Sequence, residues 1–512
     1  MSNINDQSFL FTLTADRPAV SRLAVFVIGC ATTLVFAPAG WAILAPVLTL
    51  PLLFIAVTTS PKDAAAHYFW FGLGLFLTGT HWIYISVHVF GNADLWIAIL
   101  LMVGLSLILS TLLWLAGWIT SHLSRGEPWR LLLVGPTAWV FIEWLRGWIL
   151  TGFPWLAHGY GQIDSPLAGW APVLGVYGVS LMLLFSTAAV LVTILTSGRE
   201  RMIAASLILV PWIAGSLLAI ADWTEDYGDP IRTTIIQGGI PQDRKWLPEQ
   251  RQATLDFYRN ATLRVSDSQL VVWPEVAIPA RDDQVKTYMD IVDRDARRNN
   301  QSVLLGILEY NGERNGRPRL NNSVFLLGAD KRQVYRKRHL VPFGEYFPVP
   351  ASVREWMRMR NIPYSDLTAG GDVQPLLTAS NGTKLAVAVC YEDAYGAEAL
   401  YAFPGADVLI NVSNDAWFGD SIAPHQHLQI ARMRALEVGR YSVRSTNTGV
   451  SAFIGPYGDL LKTSEQFEAA ILTADIRARK GTTVYADFGN WPVTFFCFIV
   501  LGVFWMRSRA GI

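Results

Sequence analysis

The apolar positions of this chain come in two textures. Through the first 220 or so residues they fuse into long runs, at about 22–38, 41–58, 67–90, 94–120, 130–150, 168–196 and 202–221. A last run covers about Trp491 to Met506. Each approaches the ~20 apolar residues that a helix needs to cross a bilayer. Buried core helices are the other reading, but runs this dense leave almost no polar surface for water. The pattern predicts eight transmembrane helices.

Between about 230 and 485 the texture changes to short β-rich runs alternating with charged, helical ones. Strands are predicted at Thr233–Gln237, Leu270–Trp273, Val303–Leu308, Leu385–Val389 and Val408–Val412. Asn322–Leu327 with Val334–Arg336, and Ser451–Ile454 with Asp459–Leu461, read as hairpins. Helices are predicted at Pro248–Asp267, Asp282–Asn299 and Gln426–Tyr441. Such alternation implies an α/β layered domain. The expected organisation is a membrane domain over 1–222 with seven helices, an α/β domain over 223–485, and an eighth helix with a short tail over 486–512. The irregular stretch Glu345–Gly371 carries Trp356, Met357 and Met359 among prolines and arginines. It suits contact with lipid or packing on its own domain about equally.

Composition sharpens this division. The chain of 512 residues is 52% hydrophobic and 16% charged, against about 25% charged in ordinary domains. Its net charge of zero hides an asymmetry, since only eight of the 41 Lys and Arg fall in residues 1–230. If every segment crosses, Arg17 and Arg22, Lys62, Arg125 and Arg130, and Arg199 and Arg201 lie on one side, as do Arg507 and Arg509 after the last segment, and only Arg146, inside the end of segment five, lies on the other. By the positive-inside rule both termini are cytoplasmic and the α/β insert is outside. The first segment resembles a signal peptide, with Ala37-Pro-Ala-Gly at its end, but the charge pattern fits best with it retained. The charge balance gives no reason to expect a nucleic-acid partner. Glu143 and Arg146, near the outer end of the fifth segment, read as lining a lipid entrance or as a solvated ion pair.

Three cysteines exclude a disulfide framework, and two of them, Cys30 and Cys497, lie in apolar segments. Cys390 ends the run Leu-Ala-Val-Ala-Val and is followed by Tyr391, Glu392 and Asp393. A lone thiol at a strand tip is a candidate nucleophile. Glu275 and Lys337 also follow predicted strands, and strand ends of an open α/β sheet gather into one crevice. A carboxylate can take the thiol proton, and an ammonium can stabilise an oxyanion. A buried structural cysteine is the competing reading. His425 and His427 lack the further ligands a metal site needs and read as ordinary hydrogen-bonding histidines. No cofactor is implied. Arg432, Arg434, Glu437 and Arg440 read as a salt-bridged helix face.

The motifs add a resemblance. Trp273-Pro-Glu-Val-Ala-Ile-Pro279, Lys337-Arg-His-Leu-Val-Pro-Phe-Gly-Glu345 and Cys390-Tyr-Glu392 resemble the Glu, Lys and Cys motifs of the nitrilase superfamily, as does Asn411-Val-Ser-Asn-Asp-Ala-Trp-Phe-Gly419. With apolar segments on both sides, the chain is similar to that superfamily's membrane branch, the apolipoprotein N-acyltransferases. Thr151-Gly-Phe-Pro-Trp-Leu156, Gln237-Gly-Gly-Ile-Pro-Gln-Asp-Arg-Lys-Trp246, Arg432-Met-Arg-Ala-Leu-Glu437 and Arg444-Ser-Thr-Asn-Thr-Gly449 carry the same likeness. Gly239 departs from it, standing where an acid is often found; Asp393 receives no role.

The resemblance implies an αββα sandwich set on an eight-helix membrane domain in the bacterial inner membrane, with the sandwich on the periplasmic side. It implies transfer of a fatty acyl chain from a phospholipid, typically phosphatidylethanolamine, through a cysteine thioester. The acceptor is the α-amino group of an apolipoprotein's N-terminal diacylglyceryl-cysteine. Glu275 is then the general base, Lys337 the oxyanion stabiliser and Cys390 the nucleophile. Glu345 and Glu392 are supporting acids, and Trp246, Tyr391, Trp417 and Phe418 line the substrate site. A monomer is expected. A membrane-tethered amidase or nitrile hydrolase of the same superfamily is the alternative, since only the acceptor differs.

Overall fold

The structure, a computed structural model, describes residues 17–510 apart from 125, 315–316, 348–351, 353–354 and 356–365. Trp356, Met357 and Met359 lie outside the described residues. The chain divides into two compact units. One comprises Met1–Asp222, Asp420–Gln429 and Phe488–Ile512; the other comprises Trp223–Gly419 and Ile430–Asp487.

The first unit is helical. Its main helices are α1 (Pro18–Thr32), α2 (Leu44–Thr58), α3 (Pro61–Gly79), α4 (Leu95–Ser124), α5 (Pro128–Arg146), α6 (Ala171–Leu195) and α7 (Gly198–Leu218). Every expected apolar segment before residue 222 is one of these. Among the described residues five helices of the chain are long and apolar enough to cross a membrane, and a sixth qualifies if α3 and Trp82–Phe90 count as one span bent by 49°. The count falls below eight for physical reasons. At 15 residues α2 is short, and α5 carries Arg130, Glu143 and Arg146. Several helices begin with proline near their first position, where its missing N–H costs nothing.

Close packing inside the unit depends on small residues. A Cβ on Gly29 would lie 2.0 Å from the Phe71 carbonyl oxygen, and one on Gly74 would lie 2.1 Å from that of Phe26. The α1 and α3 backbones therefore touch, as small residues permit in helix pairs without a hydrophobic driving force between them. Glu143 and Arg146 are buried, so they are not a solvated ion pair. Glu143 Oε1 accepts from Trp139 Nε1 at 3.0 Å and from the His158 backbone N–H at 2.9 Å, while Arg146 donates to the Trp155 carbonyl. Together they pin the irregular segment after α5 to the helix that precedes it.

The second unit is built on two six-stranded sheets. The first runs β12 (Ala470–Gly481), β1 (Thr224–Gln237), β2 (Leu270–Val272), β3 (Ser302–Arg314), β4 (Arg317–Leu327), β5 (Gln333–Arg336). The second runs β11 (Leu460–Thr463), β10 (Ala452–Ile454), β9 (Ser442–Thr446), β8 (Val408–Ser413), β7 (Lys384–Val389), β6 (Leu377–Thr378). The central strands β1–β2–β3 and β7–β8–β9 are parallel; the outer pairs are antiparallel.

One apolar cluster holds Ile235, Val272 and Leu304 together with Val387, Val389 and Ile410, so the sheets face each other across it. A second cluster holds Ile236, Val271 and Val303 with Tyr258 and Met289 of the helices α8 (Pro248–Arg264) and α9 (Lys286–Arg298). Successive residues of one strand thus serve opposite faces, as period-2 geometry demands. In β7, Leu385, Val387 and Val389 enter the inter-sheet core while Ala386 packs outward with Ala402 and Ala406. The predicted strands and helices are present, but β1 is longer than expected and β6, β9 and β12 were not foreseen. The helix predicted at Gln426–Tyr441 is α10, Ala423–Val438, and the last expected span is α11, Trp491–Arg509.

The α1–α3 contact yields a stability test. Gly74→Val should separate the two backbones, at about 1–3 kcal/mol for overpacking. A lower melting temperature of the detergent-solubilised protein is the expected result.

Candidate active site

Three strand ends meet here. Glu275 comes just after β2, Lys337 immediately after β5 and Cys390 immediately after β7. Each is buried. Lys337 Nζ lies 2.8 Å from Glu345 Oε2 and 3.6 Å from Glu275 Oε1. Burying ions is costly unless they are paired and hydrogen-bonded, and this cluster is both. Asn322 Nδ2 donates to Glu275 Oε1 at 2.7 Å and to Glu345 Oε1 at 2.9 Å. The Val341 N–H donates to Glu345 Oε2 at 2.8 Å.

Asn322 was missed from the sequence. It gives no local signal, because it lies in the polar half of β4 between Asn321 and Ser323. The same residue's carbonyl accepts from the Lys337 N–H at 2.8 Å, so β4 holds the lysine backbone as well as both acids.

Cys390 opens a short 3-10 turn, Cys390–Ala394, with φ of +53°. Non-glycine residues rarely adopt that conformation, and it is often found at functional sites. Glu392 holds the turn. Its carboxylate accepts from the N–H groups of Val389 at 2.6 Å, Arg338 at 2.7 Å and His339 at 3.2 Å, and from the Tyr335 hydroxyl at 3.1 Å. One side chain thereby clamps the end of the cysteine strand to the segment following Lys337. Burial raises the Glu392 pKa, opposed by the N–H donors of Val389 and Arg338.

Arg444 supports the turn from beneath. It is fully buried on β9 and donates to Asn411 Oδ1 at 2.5 Å and Asp415 Oδ2 at 2.7 Å, with Asp393 Oδ2 at 3.6 Å. One guanidinium thus links the ends of β7, β8 and β9. Asp393, given no role from the sequence, belongs to this network. Asp415 also explains Gly449, where a Cβ would lie 2.4 Å from its Oδ2.

Burial pushes the Cys390 thiol well above the usual range; Glu275 and Asp415 push the same way, while Lys337 and a hydrogen bond from Ser413 oppose them. Lys337 is held above its ordinary value, because Glu345 and Glu275 outweigh the burial that would lower it. The resting site therefore sets a neutral thiol beside the Lys337 ammonium. A thiol of this kind needs a base to take its proton at neutral pH.

The expected aromatic residues differ in setting. Trp246 and Trp417 are exposed at 48% and 42%, whereas Tyr391 and Phe418 are partly buried. The Tyr391 ring packs edge-on against Tyr395 and His339. Gly239, the departure noted above, has φ of +61°, and a Cβ there would lie 2.6 Å from the Ala469 nitrogen. Of the charged face on α10, Arg434 pairs with Glu437 at 2.9 Å and Arg432 donates to the Gly458 carbonyl. Among the described residues no cluster of three or more His, Cys, Asp or Glu could hold a metal ion.

Two parallel-centred sheets with a Glu, a Lys and a Cys at their strand ends define a nitrilase-type domain. The carbon-nitrogen hydrolase family profile matches residues 232–484, and the profile of the apolipoprotein N-acyltransferase N-terminal domain matches residues 28–189. Apolipoprotein N-acyltransferase from Methylococcus capsulatus is 42% identical over 477 residues, covering 93% of this chain and 94% of the relative. That from Photobacterium profundum is 38% identical, covering 94% of each chain, and that from Nitrosomonas europaea 41% identical, covering 91% and 93%. A solved carbon-nitrogen hydrolase from Helicobacter pylori G27 aligns with 48% of this chain and 89% of its own at 18% identity and a TM-score of 0.36.

This chain belongs to the apolipoprotein N-acyltransferase family. With its apolar helices it is a multi-pass membrane protein of the nitrilase superfamily.

Two predictions follow from the geometry. Alkylation of Cys390 by iodoacetamide should be slower than that of an exposed cysteine at pH 7.5, and should keep rising at a pH where ordinary thiols have levelled off. Peptide mass spectrometry across a pH series measures it. Glu392→Ala strands three N–H donors and a hydroxyl, so unfolding should cost at least about 3 kcal/mol less, read as a fall in melting temperature.

Proposed function

We propose that this protein moves a fatty acyl chain from a membrane phospholipid to the α-amino group of an apolipoprotein's N-terminal diacylglyceryl-cysteine. The observation that carries the reading is the meeting of Glu275, Lys337 and Cys390 at three strand ends, in a chain of this family with apolar helices on both sides of the domain. In the first half-reaction Glu275 takes the proton from Cys390 Sγ, and Sγ attacks the ester carbonyl of the phospholipid. Lys337 Nζ stabilises the oxyanion that forms. Collapse breaks the ester C–O bond, and Glu275 passes its proton to the departing lysophospholipid oxygen. The acyl chain is left as a thioester on Cys390.

In the second half-reaction the acceptor amine attacks the thioester carbon and gives up a proton to Glu275. Collapse then breaks the C–S bond, and the proton returns to sulfur. Glu345 and Asn322 hold Lys337 and Glu275 in register throughout, and Glu392 holds Cys390 against the Lys337 segment. The exposed rings of Trp246 and Trp417, with Tyr391 and Phe418, offer apolar surface for the lipid substrates.

Membrane attachment suits this chemistry. Drawing a ~16-carbon chain into water at ~0.8 kcal/mol per CH₂ would cost on the order of 10 kcal/mol. A domain joined at both ends to apolar helices avoids that transfer. We place the enzyme in the bacterial inner membrane with the catalytic domain on the periplasmic side, because the Lys and Arg between the apolar segments accumulate on one side. Phosphatidylethanolamine is the proposed donor. One chain carries the whole cluster, which supports a monomer.

Intact-protein mass spectrometry after incubation with phosphatidylethanolamine tests the first half. An added acyl mass should map to the Cys390 peptide, be absent in Cys390→Ala, and fail to accumulate in Lys337→Met. Adding a diacylated lipopeptide should remove that mass and yield an N-acylated peptide. Release of free fatty acid with no N-acylated product would overturn the transferase reading in favour of a hydrolase.

A further inference from the structure

One buried ion stands outside the roles assigned so far. Lys245 ends the single helical turn Gln242–Lys245 and is 1% exposed. Its Nζ meets the backbone carbonyl of Glu275 at 3.4 Å, and Glu275 is the charged group that acts on it. Burial depresses its pKa to about 8, so it remains largely protonated at neutral pH. A buried ammonium with a single long carbonyl contact is a poor structural element, because the desolvation cost is barely offset. An apolar side chain of the same length would serve packing better.

The surroundings place this amine deliberately. Gly239 N donates to the Asn447 carbonyl at 2.8 Å, and Asn447 Nδ2 donates to the Ile240 carbonyl at 2.8 Å. Asn414 Nδ2 donates to Gln242 Oε1 at 3.0 Å. The segment that carries Lys245 is thereby tied to the residues that follow β8 and β9. On the receiving side, Val276 has φ of +43°, so the turn at Glu275 is strained. That turn also presses on β3: a Cβ on Gly306 would lie 2.5 Å from the Pro274 oxygen and 2.7 Å from the Glu275 Cα. Gly306 bounds the turn by close approach, and the Lys245 ammonium holds its carbonyl.

The charges of the cluster point to the same role. Glu275 and Glu345 share the single ammonium of Lys337. Lys245 supplies a second cation acting on Glu275.

We propose that Lys245 is a positioning residue for the proposed base: its ammonium anchors the strained Glu275 turn by the carbonyl and balances the buried carboxylates, keeping Glu275 competent to take the thiol proton. This rests on the reading of Glu275 as the base. The neighbouring Trp246 would be coupled to the base through the same helical turn.

The test uses the full-length protein in phosphatidylethanolamine vesicles. First-turnover acylation of Cys390 is measured by mass spectrometry between about pH 5 and 9, beside the melting temperature, for Lys245→Met, Lys245→Arg and Glu275→Gln. Lys245→Met should slow acylation at least about tenfold at pH 7 and move the acid limb of the profile up by about one unit, without lowering the melting temperature. Lys245→Arg, which keeps the charge, should leave the limb in place. Glu275→Gln should form no acyl-enzyme at any pH. If Glu275→Gln is inactive but Lys245→Met leaves rate and limb unmoved, the role of Lys245 is overturned. A slower Lys245→Met with an unmoved limb and a fallen melting temperature also overturns it, as that is a structural effect. If Glu275→Gln acylates normally, the base reading itself fails.

Discussion

The energetic centre of the catalytic unit is the buried contact between Lys337 and its two carboxylates, Glu345 at 2.8 Å and Glu275 at 3.6 Å. An ammonium and two carboxylates out of water demand partners on every side, and the local structure supplies them. Asn322 spans the two acids, the Val341 N–H caps one of them, and the Lys337 backbone is bonded into β4. The cluster tolerates no loose member, because each removal leaves another ion or amide without its partner. The same order fits the role proposed for Lys337, since an ammonium already oriented needs little reorganisation to stabilise an oxyanion.

The Cys390 thiol is held by a different device. Cys390 sits in a left-handed backbone conformation that its neighbours must enforce. Glu392 enforces it from one side through backbone donors on two segments, and Arg444 from below through Asn411, Asp415 and Asp393. The thiol is kept neutral by burial and neighbouring acids, against the pull of Lys337 and Ser413. A thiol so held needs a base to take its proton, the role proposed for Glu275.

In the helical unit, sequence patterning and packing answer different questions. The apolar runs announce helices because a long stretch without polar side chains has no other way to satisfy its backbone in lipid. They do not announce how the helices touch. Gly29 and Gly74 read as unremarkable glycines until the backbone carbonyls of Phe71 and Phe26 are seen against them. Glu143 and Arg146 read as an interfacial pair by spacing, yet each is buried and bonds to the segment after α5. Spacing along a helix cannot show whether a loop folds back over it.

The sequence by itself determined the division into apolar and α/β parts, most of the strands, and Glu275, Lys337 and Cys390 as residues worth watching. These are local signals: run length, period-2 alternation, and a reactive side chain at a strand tip. Strand β9 escaped because Arg444, Ser445 and Thr446 look like loop residues, although all are fully buried. Strand β12 escaped because Asp475, Arg477 and Arg479 interrupt its apolar residues, and pairing with β1 shows it as a strand. Tertiary structure alone decided that Asn322 bridges two acids, that Asp393 answers to Arg444, and that Lys245 reaches the carbonyl of Glu275. Each of these joins residues far apart in the chain, and the cost of burying charge, which selects the partners, is paid only once the fold has excluded water.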